Sequence, residues 1–113
     1  MLVFLNENDI VSLKPDFQKI AEIDARGIIV TAKSGEYDFV SRFFAPAVGI
    51  YEDPVTGSAH TMLIPYWSEE LAKTELTAKQ ISARGGVLRC KSLGERVDIG
   101  GKAVTYLTGT ITI

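Results

Sequence analysis

The chain has 113 residues, of which 46% are hydrophobic and 23% charged, and its net charge is −2. This length suits a single domain over residues 1–113, and the composition excludes a disordered chain. No apolar run approaches the roughly 20 residues of a membrane-spanning helix, and the opening Met1–Leu5 lacks the basic lead-in of a signal peptide. The single cysteine, Cys90, excludes an internal disulfide and predicts a cytoplasmic protein.

The first part of the chain alternates strand and helix signals. Residues 2–5 are predicted to form a strand. A short helix is predicted to begin at Lys14-Pro15-Asp16 and to run to about Ile23, since proline and an acid suit a first helical turn. The β-branched run at 28–32 predicts a buried strand, and a further strand is predicted over 37–44.

The longest predicted helix covers about Gly57 to Lys73 and is apolar on almost every side over its first three turns. A helix without a polar face must be surrounded by protein. Pro65 lies inside this helix and cannot donate a hydrogen bond to the carbonyl of Thr61. We therefore expect a kink or a fresh helix start at Pro65.

Four further strands are predicted after this helix, at about 79–84, 86–91, 96–99 and 103–112. Glycines mark the turns between them, at Gly85-Gly86, Leu93-Gly94-Glu95 and Gly100-Gly101. Paired glycines between alternating runs indicate hairpins. Many strands and one apolar helix predict an α+β fold, in which a mixed or antiparallel sheet is curled into a barrel around one buried central helix, with a short outer helix.

Basic side chains are concentrated beyond residue 70, at Lys73, Lys79, Arg84, Arg89, Lys91, Arg96 and Lys102. A nucleic-acid site of this kind would be accompanied by interleaved aromatic residues or a known binding motif, and the sequence has neither. Solvated strand faces account for these charges. We expect no nucleic-acid partner and no membrane partner.

The segment Glu52–His60 is the strongest candidate for a functional site. It places an acid, a proline-fixed turn, two hydroxyls and a glycine directly ahead of the apolar helix. A helix start leaves its first N–H groups unpaired and carries partial positive charge, so it suits a carboxylate or phosphate. Asp53, beside that start, could move a proton on the bound group. The alternative is that these are ordinary turn and N-cap residues.

This segment belongs to a longer series of motifs. The others are Phe43-Phe44-Ala45-Pro46, Gly49-Ile50, Pro65-Tyr66-Trp67 and the flanking runs Asp38–Arg42 and Gln80–Gly86. In this order and spacing they resemble the PhzF-like (phenazine-biosynthesis-like) family, which has the diaminopimelate-epimerase-like fold. The likeness covers nearly all of this chain but only the second, C-terminal lobe of the family's two-lobed protein. It implies the same barrel around a central helix.

The resemblance also implies a lobe of a cofactor-independent isomerase or epimerase-like enzyme that moves a proton on a small carboxylate substrate. The family's second-lobe acid falls on Asp53 and its hydroxyl on Ser58, as catalytic residues. Thr56, Gly57, Ser58 and Ala59 would bind the substrate. The sequence leaves open whether Thr56 or Ser58 is the N-cap. We expect no metal site, since no ligand-spaced set is present, and no cofactor.

Cys90, His60 and Glu52 are further candidates for site residues. Related racemases of this fold use one cysteine from each lobe, but Cys90 falls within a predicted strand and is interpreted as a core residue. His60 lies two residues past Ser58, faces away from it, and is interpreted as structural. Glu52 and Asp53 would point to opposite sides of an extended segment, so both are not expected to serve one substrate.

The family's first-lobe glutamate, regarded as its main proton carrier, has no counterpart among these 113 residues. We therefore expect the lobe to be incomplete by itself, and its status as an enzyme stays open, as does whether it is a fragment. The expected partner is a complementary first lobe or a second copy, the latter in a homodimer with an isologous interface. The alternative function is a non-catalytic remnant or small-anion-binding domain.

Overall fold

A computed structural model describes residues 1–113, with one six-stranded mixed sheet at its centre. The strands are β1 (Leu2–Val3), β2 (Ile28–Lys33), β3 (Phe39–Phe44), β4 (Glu75–Gln80), β5 (Gly86–Ser92) and β6 (Val97–Gly100). They lie side by side in chain order. The pairs β1/β2 and β3/β4 are parallel and the others antiparallel. The predicted α+β class is confirmed.

Three α-helices accompany the sheet: α1 (Glu7–Ser12), α2 (Phe17–Ala21) and α3 (Gly57–Leu71). Helix α1 was not predicted, and Asn6 caps it by accepting a hydrogen bond from the Asp9 N–H. The predicted helix after Pro15 is α2, which Asp16 caps in the same way. None of the three combines the length and hydrophobicity that crossing a membrane requires.

The helices cover opposite faces of the sheet because the two parallel connections cross on opposite sides. Helices α1 and α2 pack on one face, where Ile10 of α1 joins the strand residues Val30, Ala32, Val40 and Phe44 in a buried cluster. Helix α3 packs on the other face, with Ile29, Phe39, Ala59, Leu63, Ile64, Trp67, Leu76, Ala78, Leu88 and Cys90. Successive residues of a strand point to opposite faces, so the apolar runs of β2 and β3 serve both cores.

The sheet is open, with β1 and β6 as its edges. The closed barrel around a buried central helix is therefore not confirmed. Helix α3 rests on the sheet by one face only and exposes Ser58, Thr61, Met62, Pro65 and Glu69. Met62 is 55% exposed although its neighbours in the helix are apolar. The apolar composition of α3 predicted that the helix would be buried on every side. In the structure, only one of its faces packs on the sheet.

Helix α3 is continuous through Pro65, so of the two expected outcomes the fresh helix start is wrong and the kink stays a prediction. Pro65 lies on the exposed face of α3, where water can solvate the Thr61 carbonyl that the proline leaves without a donor. The helix ends at Leu71, and Ala72 adopts a left-handed conformation with φ +50°.

Two predicted strands differ from the structure. The strand expected at 79–84 is β4, which ends at Gln80 and leads into a turn that closes at Gly85 with φ +68°. The strand expected at 103–112 is absent, since residues 101–113 lie outside every element. The β5–β6 hairpin is confirmed, with Gly94 at φ +77°. Gly100-Gly101 makes no hairpin.

Candidate functional site

The loop before α3 is held against strand β3 and against the turn after β4. The Asp53 N–H donates to the Phe43 carbonyl at 3.0 Å. From the other side, the Ser82 hydroxyl donates to the Pro54 carbonyl at 2.9 Å. These two bonds fix the loop backbone, so the half-buried Asp53 side chain projects from a rigid support.

Gln80 is the residue that organises the start of α3. It is fully buried at the end of β4. Its Nε2 donates to the Asp53 carbonyl at 2.8 Å and to Thr56 Oγ1 at 3.0 Å, while its Oε1 accepts from the Thr56 N–H at 2.8 Å. This role of Gln80 was not predicted from the sequence, where the residue stands only within the Gln80–Gly86 motif. The signal was the inward alternation Leu76, Ala78, Gln80, which places an amide in the core.

Thr56 holds the candidate acid. It occupies the N-cap position of α3, which answers the question of Thr56 or Ser58. Its side chain makes no capping bond, because its hydroxyl donates to Asp53 Oδ2 at 2.5 Å and accepts from Gln80. One carboxylate oxygen of Asp53 is thus fixed, and no protein group donates to the other, Oδ1.

The first backbone amides of α3 are unpaired. No protein group accepts a hydrogen bond from the N–H of Gly57, Ser58 or Ala59. Gly57 and Ser58 are exposed, whereas the Ala59 side chain is buried in the α3 core. A Cβ placed on Gly57 would meet nothing within 4 Å, so the surface above this residue is open. The predicted binding amides are therefore accessible at residues 57 and 58.

A cavity of about 1130 Å³ adjoins this helix start, with Val55 and Gly57 on one side and Gly85 and Gly86 on the other. Its charged lining residues are Arg84, Arg89, Lys102 and Glu36. Cations therefore outnumber acids here, which favours an anion near Gly57. Neither Asp53 nor Ser58 lines this cavity, so the predicted site residues do not all face one space.

The glycine at position 86 brings the two sides of this cavity together. A Cβ on Gly86 would lie 2.2 Å from Cγ2 of Val55, a distance that no side chain tolerates. The absence of a side chain at Gly86 thus lets the loop before α3 pack directly on β5.

Glu52, the neighbour of Asp53, is engaged elsewhere. Its carboxylate receives two parallel hydrogen bonds from Arg42, Nε to Oε1 at 2.6 Å and Nη2 to Oε2 at 3.0 Å. The remaining nitrogen, Nη1, donates to the carbonyls of Ile10 and Leu13 at the end of α1. Glu52 therefore has a structural partner, and Asp53 is the acid left beside the helix start.

His60 and Cys90 lie in the core. His60 is fully buried, with Nδ1 2.8 Å from the Thr56 carbonyl and no partner for Nε2. Burial lowers the pKa of His60, against the opposing effect of the Thr56 bond. Cys90 is 4% exposed, and burial raises the pKa of its thiol to about 11, so the thiol stays protonated.

The sequence model of the family described as phenazine biosynthesis-like protein matches residues 1–109. The chain belongs to this family. Among curated relatives, one uncharacterized isomerase of Pseudomonas aeruginosa is 52% identical over 111 residues, covering 98% of this chain and 43% of the relative. A second uncharacterized isomerase of that organism is 54% identical over 114 residues, covering 100% and 44%.

A solved structure supports the same assignment. The crystal structure of a phenazine biosynthesis protein of the PhzF family from Enterococcus faecalis superposes with a TM-score of 0.88 and 46% sequence identity. It covers 93% of this chain and 41% of the Enterococcus chain. This member of the phenazine biosynthesis-like family thus spans less than half the length of the relatives that it matches.

Proposed function

We propose that this chain forms one lobe of a cofactor-independent isomerase that moves a proton on a small carboxylate-bearing substrate. Two Pseudomonas relatives more than 50% identical to it carry the name isomerase, which supports the reaction class. The observation that carries the proposal is the position of Asp53, held through one oxygen by Thr56 beside the unpaired amides of Gly57 and Ser58.

The chemistry follows from this arrangement. Moving a proton between carbons near a carboxylate requires a general acid/base within about 3 Å of the carbon. It also requires donors placed where negative charge develops. In the proposal, the free oxygen of Asp53 takes or returns the proton. The N–H groups of Gly57 and Ser58, at the positive end of α3, hold the substrate carboxylate, and the Ser58 hydroxyl orients it.

The proposal includes a partner, because this chain spans less than half the length of its relatives and contains no counterpart of the first-lobe glutamate. The exposed face of α3 around Met62 gives a further reason, since it lacks the cover that a closed barrel would provide. A complementary first lobe would supply the glutamate that the resemblance assigns to it. A second copy would supply a second Asp53 instead. We place the assembly in the cytoplasm, where the free Cys90 thiol stays reduced.

A non-catalytic anion-binding domain is the second candidate function. The cavity beside Gly57 favours this function, since its lining contains three cationic side chains and one acidic side chain. The cations are Arg84, Arg89 and Lys102, and the acid is Glu36. Binding there needs the cations and the helix start but no proton transfer. This function would therefore survive loss of the Asp53 carboxylate.

The two functions are separated by deuterium exchange. The chain is combined with the part of the Pseudomonas relative that it does not match, and small unsaturated carboxylates are incubated with the mixture in D2O. Mass spectrometry then follows deuterium on carbon. Asp53→Asn is expected to lower the exchange rate about 100-fold or more. Asp24→Asn, at an exposed acid in a turn, serves as the matched control and is expected to leave the rate unchanged.

Exchange that is equal in the wild-type and Asp53→Asn mixtures would remove Asp53 from the mechanism. If no carboxylate exchanges deuterium but benzoate still shifts the amide resonance of Gly57, the anion-binding function stands in place of the isomerase.

A further inference from the structure

Two backbone groups fix the direction of the buried amide of Gln80. The Thr56 N–H can only donate, so the Gln80 atom that it meets at 2.8 Å must be the oxygen, Oε1. The Asp53 carbonyl can only accept, so the Gln80 atom that it meets at 2.8 Å must be the nitrogen, Nε2. The end of the Gln80 side chain that carries the hydrogens is therefore determined by the fold.

This amide in turn fixes the direction of the Thr56 hydroxyl. Gln80 Nε2 also lies 3.0 Å from Thr56 Oγ1. An amide NH2 group donates and does not accept, so the hydroxyl must accept from it and keeps its single hydrogen for another partner. That partner is Asp53 Oδ2, at 2.5 Å from Oγ1. Hydrogen bonds are therefore donated in one order, from Gln80 to Thr56 and from Thr56 to Asp53.

The last bond in this order makes the two oxygens of the Asp53 carboxyl group unequal. Oδ2 accepts the Thr56 hydrogen, whereas no protein group donates to Oδ1. In a protonated carboxyl group, the oxygen without the proton is the stronger acceptor. A proton taken up by Asp53 is therefore held on Oδ1. A half turn of the carboxyl group exchanges the two labels but still leaves one oxygen bound and one free.

The alternative is that Gln80 only supports the fold, as a buried amide whose hydrogen bonds are all satisfied. The loop before α3 has supports that do not involve Gln80. The Ser82 hydroxyl donates to the Pro54 carbonyl at 2.9 Å, and the Thr56 carbonyl lies 2.8 Å from His60 Nδ1. Of the three bonds of Gln80, the one to Thr56 Oγ1 holds no backbone group, and it acts on the candidate acid.

We propose that Gln80 is a positioning residue for Asp53, because it directs the Thr56 hydroxyl hydrogen onto Oδ2 and leaves Oδ1 as the oxygen that carries the substrate proton. The inference rests on the proposed isomerase function. When the substrate C–H bond breaks, its electron pair stays on the substrate and the hydrogen binds to Oδ1. The reverse step returns that hydrogen to a substrate carbon. Gln80 is fully buried and does not touch the substrate.

The first test needs neither a variant nor a substrate. Neutron diffraction from crystals of the deuterated full chain locates the hydrogen positions directly. The deuterium of the Thr56 hydroxyl is expected between Oγ1 and Asp53 Oδ2, with the two deuterium atoms of Gln80 Nε2 directed at the Asp53 carbonyl and at Oγ1. A Thr56 deuterium that points away from Asp53, or a Gln80 amide in the opposite orientation, overturns the inference.

The second test is a double-mutant cycle on deuterium exchange into substrate carbon, in the same mixture as for Asp53→Asn. Thr56→Val removes the hydroxyl at nearly constant shape, and Gln80→Met removes the amide. Each is expected to lower the exchange rate per folded molecule about tenfold, since each breaks the one chain of bonds that ends on the acid. The double variant is expected to lose about tenfold as well, because Gln80 acts through Thr56.

Two controls accompany the cycle, and circular dichroism gives the folded fraction of each variant. Thr56→Ser keeps the hydroxyl and is expected to restore the rate to within about twofold of the wild type. Gln18→Met makes the same chemical change at an exposed residue of α2 and is expected to leave the rate unchanged.

The outcomes separate this inference from the proposed function. If Asp53→Asn abolishes exchange but the losses from Thr56→Val and Gln80→Met multiply to about 100-fold, Gln80 supports the fold only and its positioning role is refuted. If the wild-type mixture exchanges no deuterium, the isomerase function fails and the role of Gln80 in it fails too. The neutron result then still decides the direction of the hydrogen bonds.

Discussion

Thr56 accepts a hydrogen bond from Gln80 and donates one to Asp53. Both uses of the hydroxyl compete with its capping of α3, which leaves the first helical amides open. A serine, threonine or aspartate at an N-cap normally closes this position with its side chain and stabilises the helix by about 1 kcal/mol. The start of α3 therefore lacks the stabilisation of a side-chain cap. The Thr56 hydroxyl orients the candidate acid Asp53 instead.

The open amides lead to a prediction about Gly57. Gly57→Ala adds a methyl group that meets no protein atom, so the fold is expected to stay intact. The methyl group lies where a bound carboxylate must approach the backbone, so benzoate binding is expected to weaken at least about tenfold, which is 1.4 kcal/mol. An NMR titration that follows the Ser58 amide measures the affinity.

Gly35→Ala is the matched control, since position 35 is also exposed and open. It is expected to bind benzoate like the wild type. If Gly57→Ala also binds benzoate with unchanged affinity, the anion is held elsewhere in the cavity.

Because His60 is buried, we expect the stability of the fold to depend on pH. Burial lowers the pKa of His60 below its usual 6.5, so the folded state favours the neutral ring. The stabilisation is present above pH 6.5 and is lost as the pH falls below it, because the unfolded chain takes up the proton first. The free energy of unfolding is expected to fall as the pH is lowered through 6.5, with a slope of at most about 1.4 kcal/mol per pH unit.

Urea denaturation at several pH values measures this slope. His60 is the single histidine of the chain, so His60→Gln is expected to remove the slope in this range, whatever its effect on absolute stability. A slope that persists in His60→Gln would assign the pH dependence to other groups.

At the scale of elements, α3 carries an interior proline on its solvent face. Pro65 removes one helical hydrogen bond, and its exposed position gives little packing in return. Pro65→Ala is therefore expected to raise the free energy of unfolding by about 1 to 2 kcal/mol, measured by urea denaturation. This expected gain is smaller than the full difference in helix propensity between alanine and proline. The reason is that replacing proline by alanine also raises the conformational entropy of the unfolded chain, which favours unfolding.

Pro46→Ala is the comparison that isolates the interior position. Pro46 stands at the first residue of a 3-10 helix, Pro46–Val48, where the missing N–H is not needed. We expect this change to give no gain in stability. If both substitutions raised the free energy of unfolding equally, the gain from Pro65→Ala would not be due to the position of Pro65 inside the helix.

At the scale of the whole molecule, Arg42 joins parts of the chain that are far apart in sequence. Its guanidinium links the end of α1 to Glu52 in the loop before α3, from a side chain only 13% exposed. Arg42→Lys cannot reproduce the paired contacts of the planar guanidinium. We expect it to lower the free energy of unfolding by about 2 to 4 kcal/mol, measured by urea denaturation.

The exposed pair of Lys91 and Glu75 provides the control for Arg42, with the two atoms 2.8 Å apart. Water screens both of its partners, so Lys91→Met is expected to change stability by no more than about 0.5 kcal/mol. If both substitutions have the same small effect, Arg42 does not hold α1 to the loop.

Local patterns predicted local structure well. Asp16 marked the start of α2, Gly94 marked the β5–β6 turn, and the β-branched run at 28–32 predicted β2. The motifs around Glu52–His60 identified the family, because a family's spacing of residues is itself a property of sequence. The N-cap signal of Asn6 was present in the sequence, but helix α1 was not predicted from it.

The sequence by itself thus determined the class of fold, the family, and the start of α3 as the candidate site. Only the tertiary structure decided that Gln80 is hydrogen-bonded to Thr56 and that Glu52 is paired with Arg42. It also decided that only one face of α3 is covered by the sheet. It also decided that residues 102–113 form no strand despite a sequence that favours one. The reason is physical: capping and turn preferences act within a few residues, whereas a strand, a buried amide and an ion pair depend on partners that only folding or association brings near.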